Sequence, residues 1–400
     1  MSLFLDVVPV SEAIEVVQGI ARAPLCEYVA LEYALYRALA KDVSADIDIP
    51  GFDRSTVDGY AVTAADTTGA SEAIPAMLGC LGKVGMGSTD PGAISPGRCR
   101  YVPTGGALPR GADAVAMIEH AEVIGDDVLV HRSVAPGENV VFRGEDFRAG
   151  QVVLEGGRIL SPRDIGVAAA VGAARVSVVI PPVIGIISTG NELVPAAETP
   201  GPGEVRDANS YLVGAFVAER GCRPVHFGII RDERDALGSA VSSALDRCDA
   251  VLVSGGSSKD ERDNTAAVIA DLGEVLVHGI AIAPGKPTII GTAREKPVIG
   301  LPGHPASTFV VLVAIVDYLL AAMRETTVSR RTLRARLTQN VPSTRGREDY
   351  IRVRVGDGEA TPVFGKSGLL NTLVQSEGLV RIPASSEGLE VGEEVEVILW

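Results

Sequence analysis

Three carboxylates and one lysine in the middle of the chain carry the first chemical signal. Glu192 ends the segment Ser188-Thr189-Gly190-Asn191-Glu192, Asp232 stands in Arg231-Asp232-Glu233, and Asp263 follows the small-residue run Ser254-Gly255-Gly256-Ser257-Ser258. Carboxylates drawn together raise each other's pKa unless a cation joins them. Mg2+ shared with phosphate oxygens is such a cation, so Glu192, Asp232 and Asp263 form a candidate metal set. Lys286 lies in Pro284-Gly285-Lys286-Pro287, where flanking prolines restrict the backbone and hold a positive charge in place for an anion. The glycine–serine turn at 254–258 lets backbone N–H groups approach an anion at a helix start. Each residue also has a plainer reading: a helix N-cap for Asp263, a first-turn charge for Asp232, a solvated loop acid for Glu192 and an exposed turn lysine for Lys286. Spacing alone does not choose between them.

The elements that must position these groups follow an α/β rhythm. Apolar runs at 183–187, 224–229, 249–253, 274–280, 288–290 and 298–301 read as strands. Helix-like spacing at 209–219, 234–248, 265–272 and 306–324 alternates with them, which implies a largely parallel three-layer domain. The polar segments fall just past strand ends, as does Pro302-Gly303-His304-Pro305 after Leu301. Ligands of open α/β sheets bind beyond the carboxyl ends of strands, so these loops are expected to converge on one crevice. Before this domain, 11–41 has the spacing of two helices, 42 to about 150 reads as a compact β module punctuated by Gly and Pro, and helical spacing returns at 161–171. After Thr326 the pattern is β again, a small barrel or sandwich.

Composition bounds the rest. The chain has 400 residues, 46% hydrophobic and 22% charged, ordinary for a folded protein of several domains. A net charge of -15 argues against attraction to nucleic acid or anionic lipid, so any anion site must be local. The first residues have no basic segment of a signal peptide. The longest apolar run, 309–323, contains Asp317 and falls short of the ~20 residues a bilayer needs, so a cytoplasmic protein without membrane contact is expected. Five scattered cysteines with no C-x-x-C favour small hydrophobes over a disulfide framework or zinc site.

Read together, the motifs resemble the MoeA family, the molybdopterin molybdenumtransferases. The resemblance runs through Pro50-Gly51-Phe52-Asp53-Arg54-Ser55-Thr56-Val57-Asp58-Gly59-Tyr60, then Pro103-Thr104-Gly105-Gly106-Ala107-Leu108-Pro109, then Arg143-Gly144-Glu145-Asp146. It continues through Ser188 to Glu192, Ser254-Gly255-Gly256 with Asp263, Pro284 to Pro287, and Gly300-Leu301-Pro302-Gly303-His304-Pro305.

That resemblance implies a multidomain α/β plus β fold. A split helical linker domain (1–45 and 152–180) would carry an inserted β domain (46–151). A molybdopterin-binding-like three-layer α/β domain (181–327) and a C-terminal β-barrel-like domain (328–400) would follow. It implies insertion of molybdate into adenylylated molybdopterin with release of AMP, using Mg2+. Asp58, Thr104 and Asp146 would face Glu192, Asp232, Asp263 and Lys286 from a partner subunit, so the homodimer would share its site. Ser254, Gly255, Gly256, Pro302, Pro305 and Ser307 would shape the pterin-nucleotide cleft. Contact with the molybdopterin adenylyltransferase is a further implied partnership. Ala283 and Gly279 stand where relatives often carry lysine, and His304 where Asn is common. Affinity for a dianion should therefore fall unless Lys259, Arg262, Arg347 or Arg352 substitutes, and tungstate is an alternative oxyanion. Competing readings are the adenylyltransferase itself, which the α/β segment also resembles, and a non-catalytic scaffold.

Overall fold

A computed structural model describes residues 7–88, 90–255 and 264–400. Gly256, Lys259, Arg262 and Asp263, singled out above, lie outside the described residues.

The α/β domain is built on a six-stranded sheet. In spatial order its strands are Arg223–Ile230, Val183–Thr189, Ala250–Ser254, Lys296–Leu301, Ile289–Ala293 and Gly273–His278. The first four are parallel, and their residues are almost continuously apolar because helices cover both faces. Ile289–Ala293 runs antiparallel to both its neighbours, and it joins Lys296–Leu301 through a tight turn in which Arg294 and Glu295 both take positive φ (50° and 61°). Register brings the parallel strands to a common edge: Thr189 pairs with Ile230, Ser188 with Ser254, and Ser254 with Leu301. From the strand ending at Thr189 the chain crosses to one side, and then returns to the other at Ala250–Ser254. The loops after Thr189 and Ser254 thus flank the topological switch point, where a crevice must open.

The helix begun at Pro305–Val311 passes through a π turn at Leu312–Val316 and ends at Asp317–Ala322. By length and composition this 18-residue stretch would suffice to cross a membrane, but 72% of it is buried inside the protein, as a core helix. The expected pair of helices at 11–41 is half realised. Val10–Gly19 is helical, and its Val10, Ala13 and Val17 pack into the α/β core. The second, expected over residues 30–39, is instead one short 3-10 turn at Leu31–Tyr33 followed by irregular chain, and the strand Cys26–Ala30 just before it pairs antiparallel with Arg175–Val179. The apolar spacing there served a small separate core, in which Ala34 and Leu39 are buried without forming a helix. Cys99, Cys222 and Cys248 are buried free thiols, whereas Cys26 is exposed.

The inserted module is a six-stranded, mostly antiparallel sheet around Tyr60, Val62, Leu78 and Val128. At the C-terminus Glu348–Gly356 pairs with both Glu359–Pro362 and Gly378–Ile382, while Thr332–Leu337 and Glu394–Leu399 close the ring, giving a five-stranded barrel. One further pairing ties barrel to α/β domain: Ile282 and Ala283 run parallel to Glu348 and Asp349.

The helix Pro162–Ala170 supplies a testable local device. The buried Asp164 carboxylate accepts the Ser161 backbone N–H (2.8 Å) and pairs with Arg158 (3.0 Å). Burial pushes this carboxyl up, but the Ser161 hydrogen bonds and Arg158 hold it below the usual carboxylate range. A depressed folded pKa gives stability that is present above the unfolded value and lost as pH falls through the folded one. Asp164→Asn should cost about 1 kcal/mol at neutral pH, and the deficit should vanish in acid below the ordinary carboxylate pKa. Urea titrations at both pH values check this.

Candidate functional site

The crevice at the switch point is a cavity of about 840 Å3. Thr189, Gly190, Glu192 and Asp232 line it from the first two strand-end loops, and Gly255 from the third. Pro302, His304 and Ser307 enter from the fourth, and residues 280–287 close one side with Lys286. Glu192, Asp232, Gly255, Lys286, Pro302 and Ser307, all chosen from sequence, are thus brought to one place. Pro305 and Ser254 line an adjoining cavity of about 710 Å3 that shares Thr189, Glu192, Gly255, Gly303 and His304 with the first.

Backbone constraints explain why small residues stand there. Gly255 has φ +98°, and a Cβ on it would lie 2.0 Å from the Thr189 carbonyl oxygen. Gly285 has φ +129°, and a Cβ would lie 2.6 Å from a methyl of Val311. The Thr288 hydroxyl donates to the Gly285 carbonyl (2.7 Å), and the Ile280 amide to that of Lys286 (3.0 Å), which fixes the turn that presents the lysine. Lys286 itself is exposed and has no acidic partner among the described residues.

Asp232 is held to the start of the helix Asn264–Leu272: Asn264 Nδ2 donates to its Oδ1 (2.9 Å) and to its carbonyl (3.1 Å). The Asp232 amide in turn donates to Asn191 Oδ1 (3.2 Å). Among the described residues no group of three or more His, Cys, Asp or Glu is poised to hold a metal. Of the expected set, Glu192 and Asp232 share the cavity, and Asp263 lies outside the described residues. Two carboxylates remain a fitting donor set for Mg2+, which is commonly held by one or two carboxylates together with substrate phosphates.

The barrel adds what the sequence reading only half anticipated. Arg345 and Arg347 both line the cavity. The buried Asp349 carboxylate pairs with Arg347 (2.9 Å) and accepts the Ser343 hydroxyl (2.8 Å), anchoring Arg347 at the rim. Arg345 went unremarked because its loop is distant in sequence. Arg352 lines a smaller neighbouring cavity and donates to the Gly365 carbonyl (3.0 Å); burial pushes its guanidinium pKa down. Ser367, also from the barrel, bonds His304 Nδ1 (3.0 Å), so His304 is tied to a loop rather than free. Asn209 was missed too. It is 8% exposed, and its Nδ2 donates to Ser254 Oγ and the Gly303 carbonyl, each at 2.8 Å. It is simply the first residue of the helix Asn209–Glu219 and stands in none of the motifs above.

In the inserted β module, the Asp58 carboxylate accepts both the amide (2.7 Å) and the hydroxyl (3.1 Å) of Thr104, so two residues chosen from separate motifs meet directly. Asp146 is exposed on the neighbouring turn, its amide donating to the Ile49 carbonyl (3.0 Å). That turn is clamped by Asp53, which accepts the Arg143 amide, and by Asp48, which pairs with Arg143 (2.8 Å). The Ala149 amide and Arg143 hold the Asp48 carboxyl below its usual range. Among the described residues, none of Asp58, Thr104 and Asp146 lines the α/β cavity of its own chain.

Comparison with known proteins follows this architecture. Residues 8–172 match the MoeA N-terminal region (domain I and II), 185–322 a probable molybdopterin binding domain, and 334–400 the MoeA C-terminal region (domain IV). A molybdopterin molybdenumtransferase of Bacillus subtilis is 33% identical over 403 residues, covering 98% of this chain and 94% of the relative. A putative molybdopterin biosynthesis protein of Methanocaldococcus jannaschii is 36% identical over 375 residues, covering 92% and 90%. The crystal structure of a molybdopterin biosynthesis MoeA protein from Pyrococcus horikoshii superposes with a TM-score of 0.88 at 34% identity, covering 99% of this chain and 100% of that one.

Gly255→Ala should destabilise the fold by about 2 kcal/mol or more, since the added methyl meets backbone at a φ that L residues rarely adopt. Gly190→Ala, where the contact is only the movable Glu192 side chain, should cost less. Denaturant midpoints of the two variants give the comparison.

Proposed function

The chain belongs to the MoeA family, and on that premise we propose that it joins molybdate to adenylylated molybdopterin in a homodimer with shared active sites, releasing AMP. It is an enzyme of molybdenum cofactor biosynthesis that inserts molybdenum. The identity of the pterin substrate, the metal ion, the dimer and a cytoplasmic location belong to the proposal.

The single observation that carries it is the pairing of charge across the cavity. Lys286, Arg345 and Arg347 line the cavity from the 280–287 segment and the barrel, and Glu192 and Asp232 from the strand-end loops, in a protein of net charge -15. The cations gather the dianion and the phosphoryl groups by local field, which bulk charge would repel. Glu192 and Asp232 would hold Mg2+, which when bound polarises the pyrophosphate linkage for cleavage. The two dithiolene thiols would replace one oxide of molybdate, which leaves as water with their protons, while Lys286 keeps the oxyanion in place; a second water would take up the cleaved phosphoryl bond to give AMP. The protein thus contributes positioning and preorganised charge, and the ligand exchange belongs to molybdenum.

Arg345 and Arg347 also answer the missing lysines at Gly279 and Ala283, because they supply positive charge to the same cavity from the barrel. The adenylyltransferase reading leaves the Asp58–Thr104 pair and the barrel arginines without a task, and a scaffold needs no cavity so lined.

Two assays test the proposal. With adenylylated molybdopterin, Mg2+ and molybdate, Lys286→Ala and Asp232→Asn should each slow AMP release at least about tenfold, roughly 1.4 kcal/mol in the barrier. Undiminished release would overturn the site. Co-expressed Asp58→Ala and Lys286→Ala chains should recover activity that neither variant has alone, about a quarter of wild type if dimers form at random with one intact site in each mixed pair. No recovery would show that the two modules do not share a site across subunits.

A further inference from the structure

The two adjoining cavities differ in their charge. The first sets Lys286, Arg345 and Arg347 beside Glu192 and Asp232. The second, about 710 Å3, contains Glu192, Glu204 and Asp207 and, among the described residues, a single Lys or Arg, Arg206, whose Nε is committed to the Glu198 carbonyl (2.9 Å). Apolar walls at Leu193, Val205 and Leu370 complete it. An anionic group entering this lobe meets like charge, and the nearby helix start offers no compensation, because Asp207 Oδ1 already accepts the Ser210 amide (3.0 Å).

The floor of the lobe offers acceptors. Asp207 is 5% exposed, and only the oxygen capping Ser210 is engaged among the described residues. Asn209, 8% exposed, gives both of its described hydrogen bonds through Nδ2. The Gly303 carbonyl can only accept, which fixes the orientation of the amide. Asn209 Oδ1 is therefore left as a buried acceptor with no donor among the described residues. Such an atom calls for a donor, since leaving it unmet costs on the order of 1–3 kcal/mol.

From this geometry we propose that the lobe floored by Asp207 and Asn209 takes the N–H-rich edge of the pterin, leaving the cation-lined lobe to phosphoryl and oxyanion groups. The proposal rests on the reading of the chain as a molybdopterin-processing enzyme. A 2-amino-4-oxopyrimidine ring presents a ring N–H beside an exocyclic amine, two adjacent donors that a carboxylate accepts side by side. Adenine places an acceptor beside its amine, and that lone pair would face Asp207. Sites built to pair a particular polar edge discriminate strongly against a ligand that leaves them unpaired. Leu193 and Leu370 provide the apolar faces that a flat bicycle needs.

The test uses the full chain with 6-hydroxymethylpterin as a fluorescent probe, adenosine as competitor, and molybdate binding followed separately by equilibrium dialysis. Asp207→Asn keeps an oxygen to cap Ser210 but removes the charge and the paired acceptor. It should raise the pterin Kd at least tenfold while leaving molybdate Kd within about twofold, and adenosine should not displace the probe. Lys286→Ala should do the reverse. Should Asp207→Asn melt early, Leu370→Glu at the exposed rim gives the same readout, a weakened pterin with unchanged molybdate. Unchanged pterin binding in the folded variant, weakened molybdate instead, or equal displacement by adenosine would overturn the proposal. Wild-type protein that binds pterin in this pattern yet never incorporates molybdenum would overturn the proposed activity and leave the lobe assignment standing. A normal KM for the pterin substrate in Asp207→Asn, with molybdenum insertion intact, would overturn only the lobe.

Discussion

The arrangement of the cavity depends on one short backbone pairing. Ile282 and Ala283 lie parallel to Glu348 and Asp349, and the Glu348 amide donates to the Ala281 carbonyl at 2.8 Å. This clip joins the α/β domain to the barrel at the point where the Lys286 turn begins. Directly beyond it, Asp349 anchors Arg347, and the loop carrying Arg345 and Arg347 is brought against the strand ends. The clip acts with the Ser367–His304 bond and the Ala306 amide donating to the Ser367 carbonyl (3.2 Å) to hold the cations of the barrel against the carboxylates of the sheet. Hydrogen bonds of this kind contribute modestly one at a time, but here they set the distance across which charge acts.

Charge placement then follows from fold geometry. Parallel strands ending in common register put Thr189, Ser254 and Leu301 at one edge, and the change of direction between the first and third strands opens the crevice. Gly255 lets one loop pass against the Thr189 carbonyl, and Asn209 bridges two others. Acids of the sheet loops and cations of the barrel loops enter from different elements, so a net-acidic protein can still offer an anion a favourable wall.

Much of this was legible in the sequence, for physical reasons. Continuous apolar runs and helical spacing gave the α/β elements closely, since burial on both faces leaves little freedom of residue type. Motifs that demand glycine or proline pointed to the loops that line the cavity, whereas the direct contact of Asp58 with Thr104, far apart in sequence, comes from the fold. What escaped depends on contacts between distant segments. Residues 30–39 have helical spacing but form only a short 3-10 turn and irregular chain, because Ala34 and Leu39 pack into the core beside the strand Arg175–Val179. The turn at Arg294 and Glu295 lacks the Asn-Gly that usually announces such a reversal, so the antiparallel edge of the sheet was unseen. Arg345 and Asn209 acquire their roles only once the barrel docks and the strand ends align.

The central claim is that this cavity couples metal insertion to cleavage of the nucleotide linkage. The most direct measurement is the ratio of molybdenum bound in the pterin product to AMP released, by metal analysis and chromatography of the same reaction mixture. The account predicts one molybdenum atom for each AMP and no AMP when molybdate is withheld. AMP released at an undiminished rate without molybdate, or metallated product without AMP, would contradict it.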